Sequence, residues 1–149
     1  MILKIAHIGV AVTKIEEAEK LYTQIFSLPI HDRERSPDIL ASFIPVGESA
    51  IELLQSTMND GLIAKFIAKK GEGIHHIAYE VDDIEKTLAD LKRKGVSLVD
   101  QEPRKGAHNS KVAFLNPKGT YGILIELVEP EKKINCMVAK KERPRGDGE

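Results

Sequence analysis

The sequence predicts an α+β fold built from two βαβββ modules paired about a pseudo-twofold axis. A shift of 69 residues lays IAHIGVAVTKIEEAE, Ile5 to Glu19, over IHHIAYEVDDIEKTL, Ile74 to Leu88. Ile5, His7, Ile8, Val12, Ile15 and Glu16 then fall on identical residues, Ile74, His76, Ile77, Val81, Ile84 and Glu85. Apolar matches are common among strands, but a shared histidine and a shared helix start point to internal duplication. Each copy also ends alike: Ile51 to Leu54 corresponds to Ile125 to Val128, now at a shift of 74, so the second copy has gained five residues, most simply in its loops.

In chain order, Met1 leads directly into an apolar strand pattern. Thr13 with Glu16 matches a capping side chain followed three residues later by Glu, and Ile15, Ala18, Tyr22 and Ile25 continue as the apolar stripe of a helix. Three strand-like segments follow, Ile30 to Arg35, Ile39 to Val46 and Ser49 to Gln55, with Pro37 and Gly47 marking turns. Leu62, Ile63, Phe66 and Ile67, at helical spacing within Asp60 to Lys70, predict a short connecting helix. The stretch GEGIHHIAYEVDDI opens the second copy with a buried strand. By strand parity His76 shares a face with Ala78 and Glu80, while His75 faces away, toward packing or a dimer contact. Asp82 with Glu85 repeats the cap; Ile84, Leu88 and Leu91 form the stripe; Lys92 to Lys94 and then Gly95 stop the helix. Strands are expected over Ser97 to Glu102, Ser110 to Asn116 and Gly122 to Glu129. The organisation is thus one domain over 1–129 (module one 1–56, linker helix 57–72, module two 73–129) and a polar tail over 130–149.

Composition narrows the function. With 149 residues, 42% of them hydrophobic, and a formal net charge of -1, this is a globular chain without the basic surplus that nucleic-acid binding requires. The single cysteine, Cys136, excludes an intrachain disulfide and fits a reducing compartment. A secretory h-region and a bilayer-length apolar run are both absent from the sequence, so the expected location is cytoplasmic, with no membrane partner.

Glu52 and Glu126 lie inside aliphatic strands, where an unpaired carboxylate is costly and a cation is the usual remedy. His7 and His76 come from equivalent first strands and Glu52 and Glu126 from equivalent last strands, so the pseudo-twofold brings all four together. Two imidazoles and two carboxylates make a divalent metal site suited to Zn, Co, Ni, Mn or Fe, charge-neutral with a dication and open to water or substrate. Gly9 and Ala78, on the same faces as the histidines, leave room for a ligand. His31 and His108 fall in loops without visible partners. Lys65, Lys69, Lys70, Lys105, Lys111 and Lys118 read as solvated surface, Gly71 to Gly73 is too short for a phosphate loop, and Cys136 has no reason to be a nucleophile.

IAHIGVAV, AIELLQ, IAKFIAKKGEGIHHIAYEVDDIE and KVAFLNPKGTYGILIEL together resemble the vicinal oxygen chelate superfamily and, more narrowly, the methylmalonyl-CoA epimerase family, over about Ile2 to Glu129. The resemblance implies a glyoxalase-like fold, in which the two modules form a curved mixed sheet around a half-barrel cleft, and a homodimer. The family's metal ligands fall on His7, Glu52, His76 and Glu126, and glyoxalase I shares that quartet. It further implies a divalent metal (Co, Ni, Zn or Mn), an acyl-CoA or other small thioester substrate, and epimerisation by 1,1-proton transfer through a metal-stabilised enediolate. Glu126 matches the metal-linked glutamate of the proton transfer, and symmetry assigns Glu52 to the opposite face. The chain departs from the pattern at Ala41, where some members carry a glutamate proposed as a base. It departs again at Thr120 and Tyr121, the latter placed to narrow the pocket or contact a different substrate, and at His108 and Asn109, where a glycine is common. A lactoylglutathione lyase-like isomerase and a non-catalytic small-molecule-binding protein are the alternatives.

Overall fold

The computed structural model describes residues 1–132; the rest of the expected tail, Cys136 included, lies outside the described residues. Eight strands make one curled mixed sheet: β1 (Ile2–Ala11), β2 (Asp32–Arg35), β3 (Ile39–Val46), β4 (Ser49–Ser56), β5 (Gly73–Val81), β6 (Arg104–Lys105), β7 (Lys111–Leu115) and β8 (Ile125–Glu129). Three α-helices accompany it, α1 (Ile15–Lys20), α2 (Leu62–Lys70) and α3 (Ile84–Arg93). The sheet order β2-β3-β4-β1-β5-β8-β7-β6 gives a half-barrel whose two halves mirror each other. In each half the first strand pairs in parallel with the last, β1 with β4 and β5 with β8, and β1 meets β5 antiparallel at the centre. Ile8 sits opposite Ile77, with His7 opposite Ala78 and Gly9 opposite His76, so the pseudo-twofold passes through that pair.

The register slips symmetrically beside the histidines. Ile5 and His7 pair with successive residues Tyr79 and Ala78, and His76 and Ile74 with successive residues Gly9 and Val10. Ala6 and His75 are therefore the extra residues of two β-bulges, each directly before a histidine of the quartet.

Alternation places the core. Ile44 and Leu53 point to the convex face and pack with Val12 and with Ile15 of α1. Ile84 and Leu88 of α3 meet Val81, Leu115 and Leu127 on the same side. Each such aliphatic side chain contributes about 1.5–3 kcal/mol on full burial. On the concave side Ile63 of α2 packs with Ala41, Phe43 and Leu54. No helix among the described residues is long and apolar enough to cross a membrane.

Several local expectations are corrected. Thr13 does not cap α1: its amide and hydroxyl both donate to Glu72 at 2.8 and 2.7 Å, Lys14 takes the N-cap place, and the Ile15 amide is met by the Gln55 side chain at 2.7 Å. In the second copy the cap is Asp83, which accepts from the Lys86 amide at 3.0 Å, while Asp82 receives the N-terminal ammonium at 2.7 Å. After Lys20 the first helix widens into a π turn, Leu21–Ile25, and the changed winding rotates Ile25 off the stripe to 70% exposure. The strand expected over Ser97 to Glu102 does not form. Leu98 makes an isolated bridge to Leu115, the Val99 and Asp100 amides both donate to the Phe114 carbonyl, and the Asp100 carboxylate accepts the Phe114 amide at 2.8 Å. A side chain thus replaces the ladder partner, and the edge strand is reduced to β6. A 3₁₀ turn, Pro117–Gly119, capped by Asn116, delays β8 to Ile125.

Candidate metal centre

β1, β4, β5 and β8 are the four central strands, and each sends one side chain of the quartet to the concave face. His7 Nε2 lies 3.0 Å from His76 Nε2, 2.7 Å from Glu52 Oε2 and 3.1 Å from Glu126 Oε2. His76 Nε2 lies 2.9 Å from Glu126 Oε2 and 3.6 Å from Glu52 Oε2. Metal–ligand bonds of about 2.0–2.2 Å place neighbouring donors roughly 3.0–3.4 Å apart around one ion, so the spacing and the nitrogen–oxygen donor set fit a first-row dication.

The electrostatics show the same convergence. Burial alone would hold both imidazoles neutral, but hydrogen bonds with Glu126 and Glu52 outweigh it, taking His7 up to about 10 and raising His76. Burial would likewise raise the carboxyls, yet the histidines bring Glu52 down to about 2 and lower Glu126. Protons and a cation therefore compete for the same Nε2 atoms.

Two cavities meet at the quartet. The larger, about 580 Å³, is lined by Glu52, His76 and Glu126 together with Glu34, Ala41, His75, Arg104 and Phe114 among others. The smaller, about 230 Å³, is lined by His7, Glu52 and Glu126 with Phe43, His108 and Val128. Ala107 lines both, so the Ala107–Asn109 turn stands between them.

Residues 6–114 match the Glyoxalase/Bleomycin resistance protein/Dioxygenase superfamily. The chain belongs to that superfamily. It is 35% identical to the mitochondrial methylmalonyl-CoA epimerase of Homo sapiens, over 83% of this chain and 72% of that one. It is 36% identical to the ethylmalonyl-CoA/methylmalonyl-CoA epimerase of Cereibacter sphaeroides, over 85% and 98% respectively. A solved methylmalonyl-CoA epimerase in complex with methylmalonyl-CoA and NH4+ superposes with a TM-score of 0.83 at 31% identity, covering 88% of this chain and 96% of that one. This member of the superfamily is an epimerase-like enzyme.

Within the superfamily fold, other sequence expectations change. His75 does not face away: the bulge breaks the period of two, its Nδ1 lies 3.0 Å from His76 Nδ1, and its ring meets Phe66 edge-on at 4.9 Å. Burial and the neighbouring His76 push His75 down to about 4, so it is neutral. His108 has partners after all, 74 and 76 residues away: its Nε2 lies 2.7 Å from Asp32 Oδ2 and its amide donates to Glu34 Oε1 at 3.0 Å. The Asp32 carboxyl is lowered chiefly by that contact. His108 and Asn109 both adopt positive φ, 54° and 57°, the conformation a glycine holds without strain. Tyr121 is fully exposed and narrows neither cavity. Lys105 is the lysine of the six that lines the larger cavity, whereas Lys111 pairs with Glu85 at 2.7 Å. Ala41 lines the larger cavity with Glu34 directly opposite it on β2, a placement that the alternation of Asp32 and Glu34 along one strand face could have signalled.

Proposed function

We propose that residues 1–129 form one domain that epimerises methylmalonyl-CoA by 1,1-proton transfer, with Co, Ni, Zn or Mn held by His7, Glu52, His76 and Glu126. The observation that carries this reading is the convergence of two imidazoles and two carboxylates, with donors within 4.8 Å of one another, where two cavities join. Relatives named for that substrate, and a solved structure that carries it, support the choice of acyl group. A cation bound there supplies Lewis-acid stabilisation of the negative charge that builds on the thioester oxygen as the α-carbon loses its proton.

The chain's own residues move that proton. Glu126 accepts it from one face as the C–H bond breaks, and Glu52 donates a proton to the other face as the new C–H bond forms. Glu52 is ionised in the free site, so it takes up a proton from solvent before turnover; the pair then carries one proton before the step, on Glu52, and one after it, on Glu126, and only the stereocentre is inverted. Arg35, Arg104 and Lys105 line the larger cavity and suit the phosphates of a coenzyme A handle.

The test is α-deuterium incorporation from D2O into each epimer by chelated protein reloaded with each metal in turn. Glu126→Gln and Glu52→Gln should each slow epimerisation about 10²- to 10⁴-fold while retaining exchange from opposite epimers. Absence of exchange with all four metals overturns the reading. Lactoyl thioester formation from a thiol and methylglyoxal, without epimerisation, would assign the site to the glyoxalase reaction instead.

A further inference from the structure

We propose that His75 is a positioning residue that keeps the proton of His76 on Nδ1 and so presents Nε2 to the cation. The inference rests on the metal reading above and concerns how this chain prepares its ligand. His76 turns Nε2 toward the quartet, 2.9 Å from Glu126 and 3.0 Å from His7. A neutral imidazole has one N–H, so Nε2 offers a lone pair only when the proton sits on Nδ1. That Nδ1–H then needs an acceptor, because His76 is 5% exposed and a buried donor without a partner is costly. His75 Nδ1, 3.0 Å away, is placed to accept, and must then carry its own proton on Nε2.

The backbone makes this contact possible. Two residues adjacent in a regular strand point to opposite faces, and their rings do not meet; the bulge at His75 brings them together. Phe66 of α2 holds the His75 ring edge-on at 4.9 Å. From the other side, a Cβ added at Gly9 would come within 2.2 Å of His76 Cε1, so the ring lies directly against the β1 backbone. The equivalent bulged residue of the first half is Ala6, whose methyl group can accept nothing from His7. One imidazole of the quartet therefore has a built partner for its outer nitrogen, supplied by a residue that the proton transfer does not use. Metal-bound histidines are commonly held in this way by a carboxylate or carbonyl; a second imidazole does so here.

The test is made on the zinc-loaded whole chain with 15N-labelled histidine. Long-range 1H–15N correlation should show His76 protonated on Nδ1 and His75 on Nε2; a proton on His75 Nδ1, or on both of its nitrogens, overturns the proposal. In chelator competition, His75→Phe, which keeps the packing on Phe66 but removes the acceptor, should weaken zinc binding about 10- to 100-fold. His75→Gln, which restores an acceptor, should return close to wild type. Equal losses in the two variants, or none in either, overturn it. Wild-type protein that takes up no zinc would instead overturn the metal reading itself. If the variants do not fold, the tautomer pattern of the wild type decides alone.

Discussion

Both histidines of the quartet are largely buried, but His76 is braced on more sides than His7. Around His76, the His75 ring meets Nδ1 at 3.0 Å, the Phe114 ring approaches edge-on at 5.9 Å, and at Gly9 the ring occupies the place a side chain would take. Around His7 the bulged neighbour is Ala6, the residue opposite is Ala78, and side-chain exposure is 14% against 5%. The two halves also start their helices differently, with Gln55 and Glu72 serving the first and Asp83 the second. The two halves agree at the positions that carry the quartet and differ at the positions around them.

The sharpest way to break this asymmetry is Gly9→Val against Ala78→Gly. The valine drives His76 out of place and should reduce zinc affinity by about 100-fold, the upper end of the loss for a displaced ligand support. The glycine opposite His7 should leave affinity near wild type and cost about 0.5–1 kcal/mol of stability from added chain entropy. Chelator competition and thermal melts read both, and similar affinity losses in the two variants would contradict the difference in bracing.

A second comparison uses pH on chelated protein. His7 stands at about 10 against an ordinary 6.5, so its contribution to stability is complete below 6.5 and is lost as pH rises through about 10. Glu52 stands at about 2 against 4.5, so its contribution is present above 4.5 and is lost as pH falls through about 2. Tm should therefore hold a plateau between these limbs, and His7→Ala should flatten the alkaline one. An unchanged alkaline limb in that variant would show that His7 is not the group responsible. The smallest effect separates the helix starts: Asp83→Ala should cost about 1 kcal/mol in urea unfolding, whereas Lys14→Ala should change stability by less than about 0.5 kcal/mol.

The quartet was legible because a repeat fixes equivalent places without knowledge of the fold: His7, Glu52, His76 and Glu126 were paired by spacing alone, and the strands that carry them followed from alternation. What escaped depends on contacts or geometry that local pattern does not encode. Thr13 looks like a cap until Glu72, 59 residues away, takes both of its donors. Parity sends His75 to the wrong side because it assumes a regular strand, and a bulge leaves no mark in composition. Ser97 to Glu102 reads as a strand from its apolar residues, but Asp100 occupies the amide that a ladder would need. His108 found Asp32 and Glu34 only through curvature that carries one end of the sheet around to the other.

That last contact bears on life in a crowded solution. Free borders of a sheet are templates on which strands from neighbouring molecules can stack. Here one border is the four-residue DRER of β2, the other the two-residue stub β6, and the turn following the stub is already pinned to the acids of β2. Short, charged and mutually engaged margins give an incoming chain little to zip onto, so high concentration should not push this sheet toward fibrils.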